Sequence, residues 1–247
     1  VNIPDFEFLE TFPSSAVDFP KNSIQVLNSS KSFEQLSVRD LIAELAEKSP
    51  QKSSELLGKV ELPSPEDKLK QYPHQLSGGM RQRVMIAMAL ACEPKILIAD
   101  EPTTALDALI QAQVLRLLQN LKEETGMSML LITHDLGVVT EIAERIMVMY
   151  AGDEVETGPT QDLLKNPHHP YTKGLISSRP NLNSEKKSGQ RLKEIAGNVP
   201  NPNQRPEGCS FHPRCSWTFD KCKTQKPASQ NIKQDRQYSC HLDPDSI

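Results

Sequence analysis

Leu76-Ser77-Gly78-Gly79-Met80-Arg81-Gln82-Arg83, followed by Lys95-Ile96-Leu97-Ile98-Ala99-Asp100-Glu101-Pro102, is the stretch that decides the fold. A serine and two glycines open an apolar helical segment, and an apolar strand then ends on two carboxylates. A helix start carries unsatisfied N–H donors and partial positive charge, so Ser77, Gly78 and Gly79 are placed to meet an anion. The same three residues would also make an ordinary helix entry. Asp100 can hold a magnesium-bound water, and Glu101 can polarise an attacking water. Taken alone, such a pair after a strand reads as a solvated strand end.

Working outward, apolar positions from Gly79 to Ala91 cover most of a helix circumference, which predicts a buried helix with Cys92 on its packed face. Ile96 to Ala99 has strand length. Asp107 can cap a helix from about Ala108 to Glu124 that Gly126 ends. Met129 to Thr133 is a second apolar run, Leu136 to Glu144 is helical in spacing, and Arg145 to Tyr150 is a third strand. Ala151-Gly152-Asp153 turns the chain into Glu154-Val155-Glu156. Alternating apolar strands and helices predict a parallel sheet covered on both faces. Upstream, a Ser-capped helix begins at Ser37, and a short helix over Ser53 to Val60 is ended by Pro63 and Pro65. Residues 1–36 are weakly patterned around Pro4, Pro13 and Pro20.

The 247 residues carry a net charge of −4, unevenly spread. From Asn166 onward there are 13 Lys/Arg against 7 Asp/Glu; before it the balance is acidic. That asymmetry suggests two modules, and the basic tail suits either solvent or anionic lipid headgroups. No window approaches the roughly 20 apolar residues that span a bilayer, and no secretory leader opens the sequence. The chain therefore reads as cytosolic, where structural disulfides are rare. It begins at Val1, as an alternative start codon or a missing N-terminal part would both produce.

Four of the five cysteines stand in the tail as Cys209-x5-Cys215-x6-Cys222-x17-Cys240. They read either as reduced free thiols or as a tetrathiolate site, and thiolates suit zinc or an iron–sulfur cluster. The spacing is wider than the tight CxxC zinc knuckle; His212 and His241 would be substitute ligands in a zinc variant.

The order Leu76-Ser77-Gly78-Gly79, then Asp100-Glu101-Pro102-Thr103-Thr104-Ala105-Leu106-Asp107, then Ile132-Thr133-His134-Asp135 resembles the nucleotide-binding domain of ABC ATPases. Tyr72-Pro73-His74-Gln75, Val148-Met149-Tyr150-Ala151-Gly152 and His168-His169-Pro170-Tyr171-Thr172 resemble the ATPase subunits of bacterial oligopeptide and dipeptide importers. The resemblance runs from about residue 38 to the C-terminus.

It implies an α/β fold: a partial ABC-type P-loop NTPase domain, with a parallel sheet core and a helical signature subdomain, joined to a Cys-containing extension. The segments would be an irregular lead (1–36), the signature subdomain (37–91), the Walker B and H-loop part (92–166) and the extension (167–247). It implies ATP and Mg2+, with Glu101 and His134 catalytic and Ser77, Gly78, Gly79, Asp100 and Asp107 at nucleotide. Ser77 and Gly79 would serve a partner's ATP site, and Asp100, Glu101 and His134 the chain's own. Implied partners are a second ABC ATPase, two membrane permeases and an extracytoplasmic solute-binding protein, at the cytoplasmic face of the bacterial inner membrane, with no nucleic acid. Phe211-His212-Pro213-Arg214-Cys215 resembles that family's extension, some members of which carry a [4Fe–4S] cluster on such cysteines, which favours the cluster over zinc at Cys209, Cys215, Cys222 and Cys240.

The family's glycine-rich P-loop, G-x-x-x-x-G-K-[ST], occurs nowhere in the 247 residues. Gly58-Lys59 is followed by Val60, and Gln25 lacks the frame of a glutamine loop. Two readings follow: an ATP-binding importer subunit truncated at the P-loop or completed by another polypeptide, and a non-hydrolytic relict or metal-binding module. The soluble DNA-repair ATPases share the signature but not the tail from His168. Loss of the strands that flank Asp100 would leave an apolar sheet edge open.

Overall fold

The computed structural model describes residues 38–39, 50–178, 194–233 and 235–246. The chain divides into two units, Val1–His134 and Asp135–Ile247. Val38 and Arg39 are helical; the rest of the helix expected from Ser37, and the lead before it, lie outside the described residues.

In the first unit, helix α1 (Pro50–Lys59) leads through a turn at Glu61 (φ 54°) into the short α2 (Pro65–Lys68). The prolines do not end α1 as expected: it stops at Lys59, and Pro65 instead starts α2, where a missing N–H costs nothing. Helix α3 (Gly78–Ala91) buries Val84, Ile86, Ala87, Leu90 and Ala91 in the core formed with Leu57, Val60, Leu118 and Leu121. Its circumference is not buried throughout, because Met85 is 54% exposed. Cys92, expected on the packed face, is exposed at the helix end.

Strand β1 (Ile96–Asp100) pairs in parallel with β2 (Ser128–Ile132), connected by α4 (Ala108–Thr125). Asp107 caps α4 through the N–H groups of Leu109 and Ile110, and Gly126 ends it at φ 69°, which L side chains rarely adopt. The sheet is covered on one face only. Leu97 and Ala99 are buried, while Ile98, Leu130 and Ile132 are 57%, 48% and 46% exposed. The expectation of cover on both faces fails because the described residues of this unit place nothing on that side.

In the second unit Asp135 caps α5 (Leu136–Ile142). Among the described residues strand β3 (Arg145–Tyr150) joins no parallel sheet, against what the alternating pattern suggested. It turns through Ala151 and Gly152 and pairs antiparallel with β4 (Asp153–Pro159). Helices α6 (Thr160–Lys165), α7 (Pro170–Ser177) and α8 (Asp220–Thr224) follow, then β5 (Gln230–Lys233) and β6 (Arg236–Tyr238). The sheet order is β3-β4-β6-β5, so the C-terminal hairpin extends β4. Tyr150, Tyr171 and Phe211 close the core with ring centroids 4.7–5.3 Å apart.

Candidate functional site

Parallel pairing sets Asp100 opposite Ile132, and the Glu101 N–H continues the ladder by donating to the Ile132 carbonyl at 2.9 Å. Two residues beyond Ile132, His134 therefore arrives beside Glu101. Its Nδ1 lies 2.7 Å from Glu101 Oε1, and the Thr104 hydroxyl donates to Oε2 at 2.8 Å. Glu101 turns into the left-handed region, φ 46°, to make these contacts. The hydrogen bond from His134, then that from Thr104, holds its carboxyl below the usual glutamate range. Asp100 ends β1 with its side chain exposed. An exposed carboxylate beside a gripped one is a donor set suited to a hydrated divalent cation and an attacking water.

At the signature segment, Ser77 caps α3 by accepting from the Met80 N–H at 3.3 Å. Ser77 and Gly78 are exposed and Gly79 is half-buried. A Cβ on Gly79 would stand 2.6 Å from Ile110 Cγ2, so glycine is required there by the packing of α3 on α4, whatever binds the helix end. A groove of about 360 Å³ beside the segment is lined by Gly78, Arg81, Gln82, Thr104, Ala105 and Leu106 among others. Asp107, a candidate nucleotide contact, spends one carboxylate oxygen on the α4 cap.

Sequence reasoning did not single out Arg83. It is buried and donates to the Val60 carbonyl at 2.7 Å and to Glu61 at 3.1 Å, tying α3 to the end of α1. A charged residue on an otherwise apolar helix face was the available signal. Thr104 was likewise read only as part of a motif.

In the second unit the four tail cysteines lie within electrostatic reach of one another. Cys215 interacts with Cys209, Cys222 and Cys240, and burial pushes its thiol up to about 11. Burial also raises Cys209 and Cys240. The nearby backbone amides of Phe211 and His212 at Cys209, of Trp217 at Cys215, and of Leu242 and His241 at Cys240 act against that rise. Such amides favour thiolate and so suit a metal-bound sulfur. The Cys209 N–H donates to the Cys222 carbonyl at 2.8 Å, and Gly208 permits this approach: a Cβ there would lie 2.4 Å from that oxygen. Among the described residues, no three His, Cys, Asp or Glu side chains are closed into a metal-holding group. No described helix is long and apolar enough to cross a membrane.

A parallel strand pair ending on Asp100-Glu101, with His134 at the neighbouring strand end and a Ser-Gly-Gly helix start, is the arrangement of part of an ABC-type nucleotide-binding domain. The ABC transporter family model matches residues 9–104, and the model of the oligopeptide/dipeptide transporter C-terminal region matches residues 155–222. The first match begins upstream of residue 38, where the resemblance was first legible. The dipeptide transport ATP-binding protein DppD of Escherichia coli (strain K12) is 49% identical over 191 residues, 77% of this chain and 58% of that protein. A Brucella ovis protein, provisionally named as a peptide import ATP-binding protein, is 51% identical over 189 residues, 75% of this chain and 56% of its own length. The dimeric structure of a bacterial ABC transporter cassette aligns at 32% identity over 51% of this chain and 58% of that one, TM-score 0.45. The chain belongs to the family of ATP-binding subunits of peptide ABC importers. It spans 56–58% of the length of the relatives named here.

Proposed function

We propose that this chain is the signature and Walker B part of an ATP-binding, energy-coupling subunit that drives import of oligopeptides, dipeptides or related solutes. The observation that carries the reading is the Glu101–His134 pair at adjacent parallel strand ends, in a chain whose tail matches the oligopeptide transporter region. ATP with Mg2+ supplies the phosphoryl group and neutralises its charge. Asp100 would hold the hydrated metal, Glu101 accepts the proton of the attacking water, and His134 steadies that carboxylate. Ser77 and the N–H groups of Gly78 and Gly79 present donors to a nucleotide bound by a partner ATPase. The phosphate-cradling loop has no counterpart in these 247 residues, so a glycine-rich part must complete the site. Two permeases, a second ATPase and a solute-binding protein form the working assembly at the inner membrane. The tail cysteines Cys209, Cys215, Cys222 and Cys240 hold a [4Fe–4S] cluster, or zinc in its place.

The test is reconstitution. The chain is co-expressed with the P-loop part of the Escherichia coli dipeptide relative, and ATP turnover is measured. Turnover is expected from the pair, and Glu101→Gln abolishes it while nucleotide binding persists. Unchanged turnover in the variant removes Glu101 from the mechanism. A pair that assembles yet holds no nucleotide favours the second reading, a non-hydrolytic module, whose support is the missing P-loop.

A further inference from the structure

We propose that Thr104 is a positioning residue, its hydroxyl fixing the orientation of the Glu101 carboxylate; the inference rests on the ATPase reading above. The geometry is a two-point grip. Thr104 Oγ1 donates to Oε2 at 2.8 Å while His134 Nδ1 meets Oε1 at 2.7 Å. The Thr104 N–H also donates to the Glu101 carbonyl at 3.1 Å, closing the turn that follows β1. Glu101 is partly exposed and sits on a left-handed backbone. An ungripped glutamate in that position would spread over several rotamers. A carboxylate offers about four lone-pair sites, so two grips fix its plane and still leave acceptors for the proton of a water.

Thr104 has no packing role that would explain it otherwise. Its residue is exposed, in contrast to the buried Thr103 beside it. The turn is closed by the backbone N–H, which any residue except proline supplies. What the hydroxyl adds is the bond to Oε2. Thr104 also lines the groove that Gly78, Arg81 and Gln82 share, so the residue holding the base stands at the edge of the signature segment.

The experiment begins on the chain as it exists, without nucleotide. Carboxyl carbons of labelled glutamate are titrated by NMR, and the Glu101 signal is assigned by its loss in Glu101→Gln. Thr104→Val keeps shape and backbone N–H but removes the donor, and Thr104→Ser keeps the donor. The Glu101 titration is expected to move up toward the ordinary glutamate range in Thr104→Val and to stay in place in Thr104→Ser. A Glu101 titration unmoved by Thr104→Val, with the fold intact by its amide spectrum, overturns the grip. In the reconstituted pair, Thr104→Val is expected to lower kcat roughly ten- to a hundredfold at unchanged KM, with Thr104→Ser restoring it. A titration that moves while kcat does not would overturn the catalytic part of the proposal. Failure of the ATPase reading shows differently, as absence of turnover in the unmutated pair.

Discussion

Arg236 donates to Glu156 at 2.9 Å with both side chains removed from water, 7% and 0% exposed. The pair joins the C-terminal strand β6 to β4, and Glu156 also accepts the N–H groups of His168 and His169 at 2.9 and 3.0 Å. Removing one partner of a buried pair leaves an uncompensated charge, which costs about 3–5 kcal/mol. Arg236→Ala is expected to destabilise the second unit by that amount, read as a lowered denaturant midpoint. Glu156→Leu strips the His168 and His169 N–H groups of their acceptor, as Arg236→Ala strips the Asp162 and Asn166 carbonyls of their donor, so the two losses should be of similar size. A denaturant midpoint unmoved in either variant would show that this cluster contributes nothing to stability.

Gly79 stands at a helix start suited to anions, yet its contact with Ile110 gives it a packing role. A Cβ at 2.6 Å from a β-branched side chain cannot be relieved by a simple rotamer change. Gly79→Ala should destabilise the first unit by about 1–3 kcal/mol, and Ile110→Ala in the same chain should recover most of the loss. Chemical denaturation of the three proteins checks this; no recovery in the double variant means that α3 and α4 do not meet at this point.

The elements around the site were legible because each rests on local chemistry. Asp107 caps α4 and Gly126 ends it as their residue types require, and β3 spans Arg145–Tyr150 as its apolar run indicated. Partner choice was not legible. The alternation that predicted one parallel sheet says nothing of whether a strand finds its neighbour in a hairpin, and β3 found β4 through Ala151 and Gly152. The Ile98, Leu130 and Ile132 face reads as buried in sequence because burial depends on a covering layer, which a strand's own residues do not supply. At the site, the motif gave Glu101 and His134, but the hydroxyl of Thr104 became visible only when the turn placed it on Oε2.

His169 is 1% exposed, and burial lowers its imidazole to about 4, from an ordinary value near 6.5. Its Nδ1 accepts the Tyr171 N–H and caps α7, which only the neutral ring can do. Between these two values the unfolded chain binds more protons than the folded one, so stability rises with pH. The contribution is complete above pH 6.5 and falls away toward pH 4, amounting to about 3 kcal/mol in full. His169→Gln should be less stable at pH 7 but lose less on acidification to pH 5. Parallel unfolding curves for the two proteins across that interval would show that His169 titrates normally.

The tail thiols set a dependence of opposite origin. Burial disfavours thiolate at Cys209, Cys215 and Cys240, while nearby backbone amides favour it. A bound metal resolves this conflict by supplying positive charge, so binding must release protons and tighten as pH rises. Protein purified anaerobically is expected to be brown, with iron and sulfide in equal amounts, and Cys215→Ser should bleach it. Because Cys240 stands two residues beyond the end of β6, extraction of the metal should also loosen the C-terminal hairpin, seen as faster amide exchange at Tyr238. Colourless protein with stoichiometric zinc would replace the cluster by zinc at the same sulfurs. Metal-free protein with a protected hairpin would show that the amides and the buried ion pair hold this tail without any ion.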